Sequence, residues 1–258
     1  MTLSLRRSAA TLPLLAALLM ACATAQDAHS ADASAPPPRD AASASATASA
    51  SPSATASASA PASPSPGASV EAIPHELADE INEELRDQLL ATMAEDQAVR
   101  TGVAPPGDDR TAEELLGQMG AVDAANSLRI REILEEHGWP GWSMVGEDGS
   151  LAAWVVIQHA DRQLDLQELG LRYLQGAVDA GDASAGDLAY LVDRVRVAKG
   201  QPQVYGTQLG AGPDGELIPQ TPIENGANVD ARRAEAGLGT LEEYYEEFRR
   251  AMEELPEE

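Results

Sequence analysis

The sequence predicts a mainly α protein, a multi-helix domain with one small β-hairpin near its C-terminal third. Three observations lead there. Apolar residues recur at helical spacing through much of the chain beyond residue 70. Helix-starting and helix-stopping residues punctuate that pattern. One Gly/Pro-rich hexapeptide, Gly210 to Gly215, separates two short strand-like runs.

The first 70 residues stand apart. Arg6-Arg7 followed by the apolar run Ala9 to Met20 reads as a signal peptide over residues 1–21. The run is shorter than the roughly 20 apolar residues that a membrane-spanning helix needs. It ends in Leu19-Met20-Ala21-Cys22, which resembles the lipobox of bacterial lipoproteins. The resemblance implies cleavage before Cys22 and lipid, palmitate included, on its thiol. The alternative is an ordinary secretory peptide cut after Ala23 or Ala25. The Arg pair lacks the apolar residues expected after a twin-arginine signal, which favours Sec export. Ala23 after Cys22, in place of aspartate, favours the outer membrane in a Gram-negative cell. Residues 22–70 are Ala/Ser/Thr/Pro with almost no large apolar side chains, and are expected to form a disordered tether. Such a spacer would reach about 35–40 Å as a coil and ~140 Å as extended polyproline.

Residues 71–258 form the expected domain. Residues 1–70 hold three basic and three acidic groups, so the net charge of −25 lies wholly beyond them. That acidity supports solubility and argues against nucleic acid, whose phosphates it would repel. A basic protein partner is the sharper reading. Cys22 is the sole cysteine, so neither an intramolecular disulfide nor a thiolate zinc cluster can form.

Leu77, Ile81, Leu85, Leu89 and Met93 step by four, predicting a helix from about His75 to Val99. Asp96 and Arg100 at its end are expected to be a surface pair worth about 0.3–0.5 kcal/mol. Thr111 with Glu114 is a capping box opening a short helix to about Met119. A further helix spans Val122 to His137, stopped by Gly138 and Pro140, with His137 suited to its negative end. Trp139 and Trp142 flank that turn as wall or core packing residues, with ligand stacking as the alternative. Gly149-Ser150 is expected to cap a buried helix beginning at Leu151 and ending in Gln158-His159. Helices then follow over Asp165 to Ala180 and Ser184 to Ala198. Val204 to Leu209 and Glu216 to Thr221 are the hairpin strands. A short helix runs from Asn228 or Asp230 to Gly237, and Thr240 with Glu243 caps a last one that docks Tyr244, Tyr245 and Phe248.

Polar residues set against apolar runs are the candidates for chemistry. His159 has the residue type for acid–base work, with an unperturbed pKa of about 6.5. Asp161 or Asp193 are candidates to orient it, and the competing reading is a hydrogen-bonded core histidine. Asp193-Arg194 inside an apolar helix is either part of a site or a buried architectural pair. Gln203, Tyr205 and Thr207 alternate, so a regular strand would place them on one face and Gln208 on the other, unless Gly206 bends it. Uncharged amides and hydroxyls suit a neutral polar ligand such as a sugar or peptide amide, and equally suit satisfying loop backbone. The four histidines show no paired ligand spacing and Asp179 to Asp187 lacks EF-hand order, so neither metal nor other cofactor is expected.

Gly138-Trp139-Pro140, Gln158-His159-Ala160-Asp161, Asp193-Arg194 and Tyr205-Gly206-Thr207-Gln208, in that order, resemble an uncharacterised bacterial domain family of unknown function. The resemblance spans roughly Leu89 to Tyr245 and implies no activity. The expected function is a lipid-anchored envelope protein. Its domain would bind a small polar ligand or envelope partner around His159 (also the candidate catalytic residue), Gln158, Asp161, Asp193, Arg194, Gln203, Tyr205, Thr207 and Gln208. The alternatives are a hydrolase or transferase on envelope material with His159 as general base, and a purely structural or interaction module.

Overall fold

A computed structural model of the chain describes residues 71–253. The expected signal peptide, Cys22 and the tether lie outside the described residues. The fold is mainly α, with a two-stranded antiparallel hairpin. Its helices are α1 (Glu83–Thr101), α2 (Ala112–His137), α3 (Trp142–Gln158), α4 (Leu164–Asp179), α5 (Ala185–Ala198), α6 (Val229–Glu235) and α7 (Leu241–Glu253). The strands are β1 (Leu209–Ala211) and β2 (Leu217–Pro219).

α3 is the central element, touching α1, α2, α4 and α5. Its apolar run explains this: Ala152 to Ile157 are buried without a break, and an all-round apolar helix must be surrounded. Two indoles lock it. Trp154 Nε1 donates to Asp187 O at 2.9 Å, and Trp139 Nε1 donates to Ser150 Oγ at 3.2 Å. Trp154, Tyr190, Tyr244 and Phe248 then meet edge-to-face in series, carrying the core out to α7.

The first helix begins at Glu83, eight residues later than its apolar period suggests. Residues 73–82 are not helical, because the domain itself supplies their partners. Ile73 N donates to Arg172 O, Ala78 N to Ser143 Oγ and Asn82 N to Met144 O. His75 Nε2 meets Asp182 Oδ2 at 2.8 Å. Leu77 and Ile81 are accordingly 61% and 42% exposed, and Asn82 is the cap, its Oδ1 accepting from Leu85 N.

The two helices expected over residues 111–137 are one. The Thr111 capping box is present, but Gly117 and Gly120 are carried inside a 26-residue helix. Each costs about 1 kcal/mol relative to alanine, which packing over that length outweighs. α3 likewise starts at Trp142, not at Gly149-Ser150, with a kink where Gly146 adopts φ 74°. The expected helices near 165–180 and 184–198 are α4 and α5. The short helix is α6, and α7 carries its Thr240–Glu243 cap.

The hairpin is shorter than expected, pairing Leu209 with Pro219 and Ala211 with Leu217. Residues 204–208 are not a strand. Their backbone groups bond to side chains instead, so the alternation expected of Gln203, Tyr205 and Thr207 does not operate. Among the described residues no helix is long and apolar enough to cross a membrane.

Candidate functional site

The end of α3 delivers His159 into a charged cluster that α1 completes. Asp96 Oδ2 lies 2.6 Å from His159 Nδ1. Arg100, one turn further along α1, places its Nε 2.9 Å from the same Nδ1 and 3.3 Å from both Asp96 oxygens. One ring nitrogen cannot both donate to Asp96 and accept from Arg100. The shorter bond to a full carboxylate decides: Nδ1–H donates to Asp96, and Arg100 Nε–H is directed at the Asp96 oxygens. Any proton exchange by the imidazole then runs through Nε2. Arg100 Nη2 also reaches Asp123 Oδ1 of α2 at 2.6 Å.

Asp161, two residues beyond His159, accepts from Gln167 Nε2 at 3.2 Å and lies 3.5 Å from Arg194 Nε. Gln167 also donates to the Ile157 and Gln158 carbonyls, fixing the end of α3. Asp96, Arg100, His159 and Arg194 have buried side chains, whereas those of Asp123 and Asp161 are 27% and 31% exposed. The cluster is thus interior with an acidic edge open to solvent. Two buried amide nitrogens, Gln158 Nε2 on the residue before His159 and Asn126 Nδ2 one turn after Asp123, have no hydrogen-bond partner among the described residues.

Burial pushes the Asp96 carboxyl upward, but the His159 hydrogen bond and charge, with Arg100, outweigh it and hold the group below its usual value. Burial wins at Asp123. Its carboxyl is raised, with Arg100 opposing and the Asp96 and Asp161 charges adding to the rise.

Asp193 belongs to a different structure. Although it precedes Arg194 in sequence, its side chain turns to the 204–208 segment. Its oxygens accept from the backbone N–H groups of Val204, Tyr205 and Thr207 and from Thr207 Oγ1. Burial raises this carboxyl, opposed by the bonds from Thr207, Val204 and Tyr205. Gln203 bonds the same segment twice, donating to Gln208 O and accepting from Gln208 N. Gln208 Nε2 donates to Thr207 Oγ1, and Tyr244 Oη to Thr207 O. Arg233 Nη1 reaches Tyr205 O while its guanidinium stands 5.0 Å over the Tyr244 ring. Gly206 makes the bend at φ 68°, where a Cβ would lie 2.7 Å from Ile223 Cδ1. The polar groups of Gln203, Thr207 and Gln208 thus serve this loop.

The expected site residues therefore fall into two groups. His159, Asp161 and Arg194 share the α3 cluster, with Gln158 joined to it through its backbone carbonyl, while Asp193, Gln203, Tyr205, Thr207 and Gln208 build the loop. The orienting carboxylate of His159 is Asp96, neither Asp161 nor Asp193. The Asp96–Arg100 pair is buried rather than a surface pair. Its spacing was visible, but helical periodicity alone does not say which face α3 covers. Asp123, Gln167 and Arg233 gave no local signal. Among the described residues no group of three or more His, Cys, Asp or Glu side chains is placed to hold a metal ion.

No curated protein and no solved structure matches the chain. Three of the four motifs supply these two groups, and all four fall within residues 83–253, which match one family model. The chain belongs to that family, the family of unknown function DUF6624.

Proposed function

We propose that the chain is a lipid-anchored envelope protein, held through Cys22 at the outer membrane, whose helical domain binds a small neutral polar ligand beside His159. The observation that carries the ligand reading is the Gln158 amide. It is buried on the residue that precedes His159 at the end of α3, and its Nε2 has no partner among the described residues. An unmet buried donor costs about 1–3 kcal/mol, which a ligand carbonyl or hydroxyl would recover. The exposed edges of Asp123 and Asp161 offer acceptors for ligand hydroxyl and amide N–H groups. Opposite charges inside the cluster nearly balance, which suits a neutral ligand over an anion.

A second reading, a hydrolase or transferase on envelope material with His159 as general base, is favoured by one observation. The 2.6 Å contact to Asp96 holds Nδ1, as carboxylates do for catalytic imidazoles.

Calorimetry of the full-length protein with N,N′-diacetylchitobiose, a neutral sugar carrying amides, tests the binding reading. Saturable binding that Asp161→Ala weakens supports it. No heat at millimolar sugar, or equal affinity in Asp161→Ala, sinks it, and hydrolysis of the sugar that stops in His159→Gln would favour the second reading.

A further inference from the structure

We propose that the cleft between α4 and α5 is a separate binding site for a small amphiphilic monoanion, a short-chain carboxylate. A cavity of about 250 Å³ opens there, and none of the His159 cluster lines it. Positions 168, 171 and 172 of α4 and 192, 195 and 196 of α5, with its cap residue 199, follow helical spacing, so one face of each helix builds the walls. Leu171, Val192 and Val195 make those walls apolar.

Charge then selects the occupant. The chain has 42 acidic residues against 17 basic ones. The cavity reverses that ratio, with Arg172, Arg196 and Lys199 against the carboxylate of Glu168. Lys199 Nζ is held by Glu168 at 2.7 Å, a contact between half-exposed groups that an incoming carboxylate can exchange at small cost. Arg196 pairs with Glu224 at 2.7 Å. Arg172 Nε donates to a backbone carbonyl, Glu71 O, at 3.1 Å, so its full charge faces no carboxylate among the described residues. A neutral apolar molecule would leave the Arg172 charge unmatched, and an inorganic anion would leave the apolar walls wet.

The size sets the length. A volume of about 250 Å³ lies just under the roughly 300–1,000 Å³ of sites for drug-sized ligands. It suits a chain of about six carbons, with the head group at the cationic rim.

Methyl NMR of the full-length protein in lipid nanodiscs, reading Leu171, Val192 and Val195, tests the proposal with sodium hexanoate, 1-hexanol, hexylamine and inorganic phosphate. Hexanoate is expected to shift these methyls saturably, and the other three to act far more weakly. Arg172→Gln and Lys199→Gln change exposed side chains and leave the fold intact; each is expected to weaken hexanoate about fivefold, the scale of one accessible ion pair. Methyls that ignore hexanoate, that answer all four probes alike, or that respond unchanged in both variants would each overturn the proposal. The chitobiose experiment reads different residues, so either site can fail alone.

Discussion

Asp96 Oδ2 lies 2.6 Å from His159 Nδ1, joining α1 to the end of α3 across 63 positions of sequence. Both side chains are almost wholly buried. The pair therefore serves two ends at once: it fastens two helices, and it fixes the imidazole's orientation through Nδ1.

Asp96→Asn removes the charge that balances His159 and Arg100. Breaking a buried pair from one side costs about 3–5 kcal/mol, and urea unfolding is expected to show a loss of that order. The pH dependence has a definite sign. Asp96 is held below its ordinary value of 3.8, so its contribution is full above that value and is lost as pH falls through the lower folded value. The variant should show a shallower loss of stability on acidification below about pH 4. An unchanged acid limb would contradict this.

Gln158→Leu separates a site from a core. If Gln158 Nε2 is kept for a ligand, replacing the amide by an apolar side chain is expected to leave stability unchanged or raise it by about 1 kcal/mol. Chitobiose affinity should fall in the same variant. A loss of more than about 2 kcal/mol would instead make Gln158 a structural residue.

Asp193→Asn tests the loop. Asparagine keeps one acceptor oxygen and turns an N–H₂ group toward backbone donors at Val204, Tyr205 and Thr207. A destabilisation of about 2–4 kcal/mol is expected from the unmet donors. Faster amide exchange should appear first at these three residues. Wild-type exchange there would show that Asp193 does not hold the segment.

Cys22→Ser tests the anchor. Fractionation should move the protein from the membrane pellet to the soluble fraction, and metabolic palmitate labelling should disappear. Retention in the pellet would contradict lipid attachment at Cys22.

Much of the fold was legible because local chemistry and packing agree. The Thr111–Glu114 and Thr240–Glu243 caps, the Gly138 stop and the unbroken apolar run of α3 each lie where simple spacing places them. The misses occur where distant groups override local preference. The stripe through Leu77 and Ile81 is helical in period, yet bonds to Arg172, Ser143 and Met144 hold that stretch out of a helix. The 204–208 segment has strand alternation, yet Asp193 and Gln203 take the place of a neighbouring strand. The site was half legible for the same reason. His159, Gln158 and Asp161 announce themselves as polar residues ending an apolar helix. Asp96 and Arg100 look like any surface pair until α3 is packed over them.

The most direct measurement is the imidazole ¹⁵N spectrum of His159 in the full-length protein, recorded through a titration with N,N′-diacetylchitobiose. Nδ1 should carry the proton throughout, reporting its bond to Asp96, while Nε2 shifts saturably with the sugar. An unprotonated Nδ1, or an Nε2 that stays fixed at saturating sugar, would contradict a ligand site built on the Asp96–His159 pair.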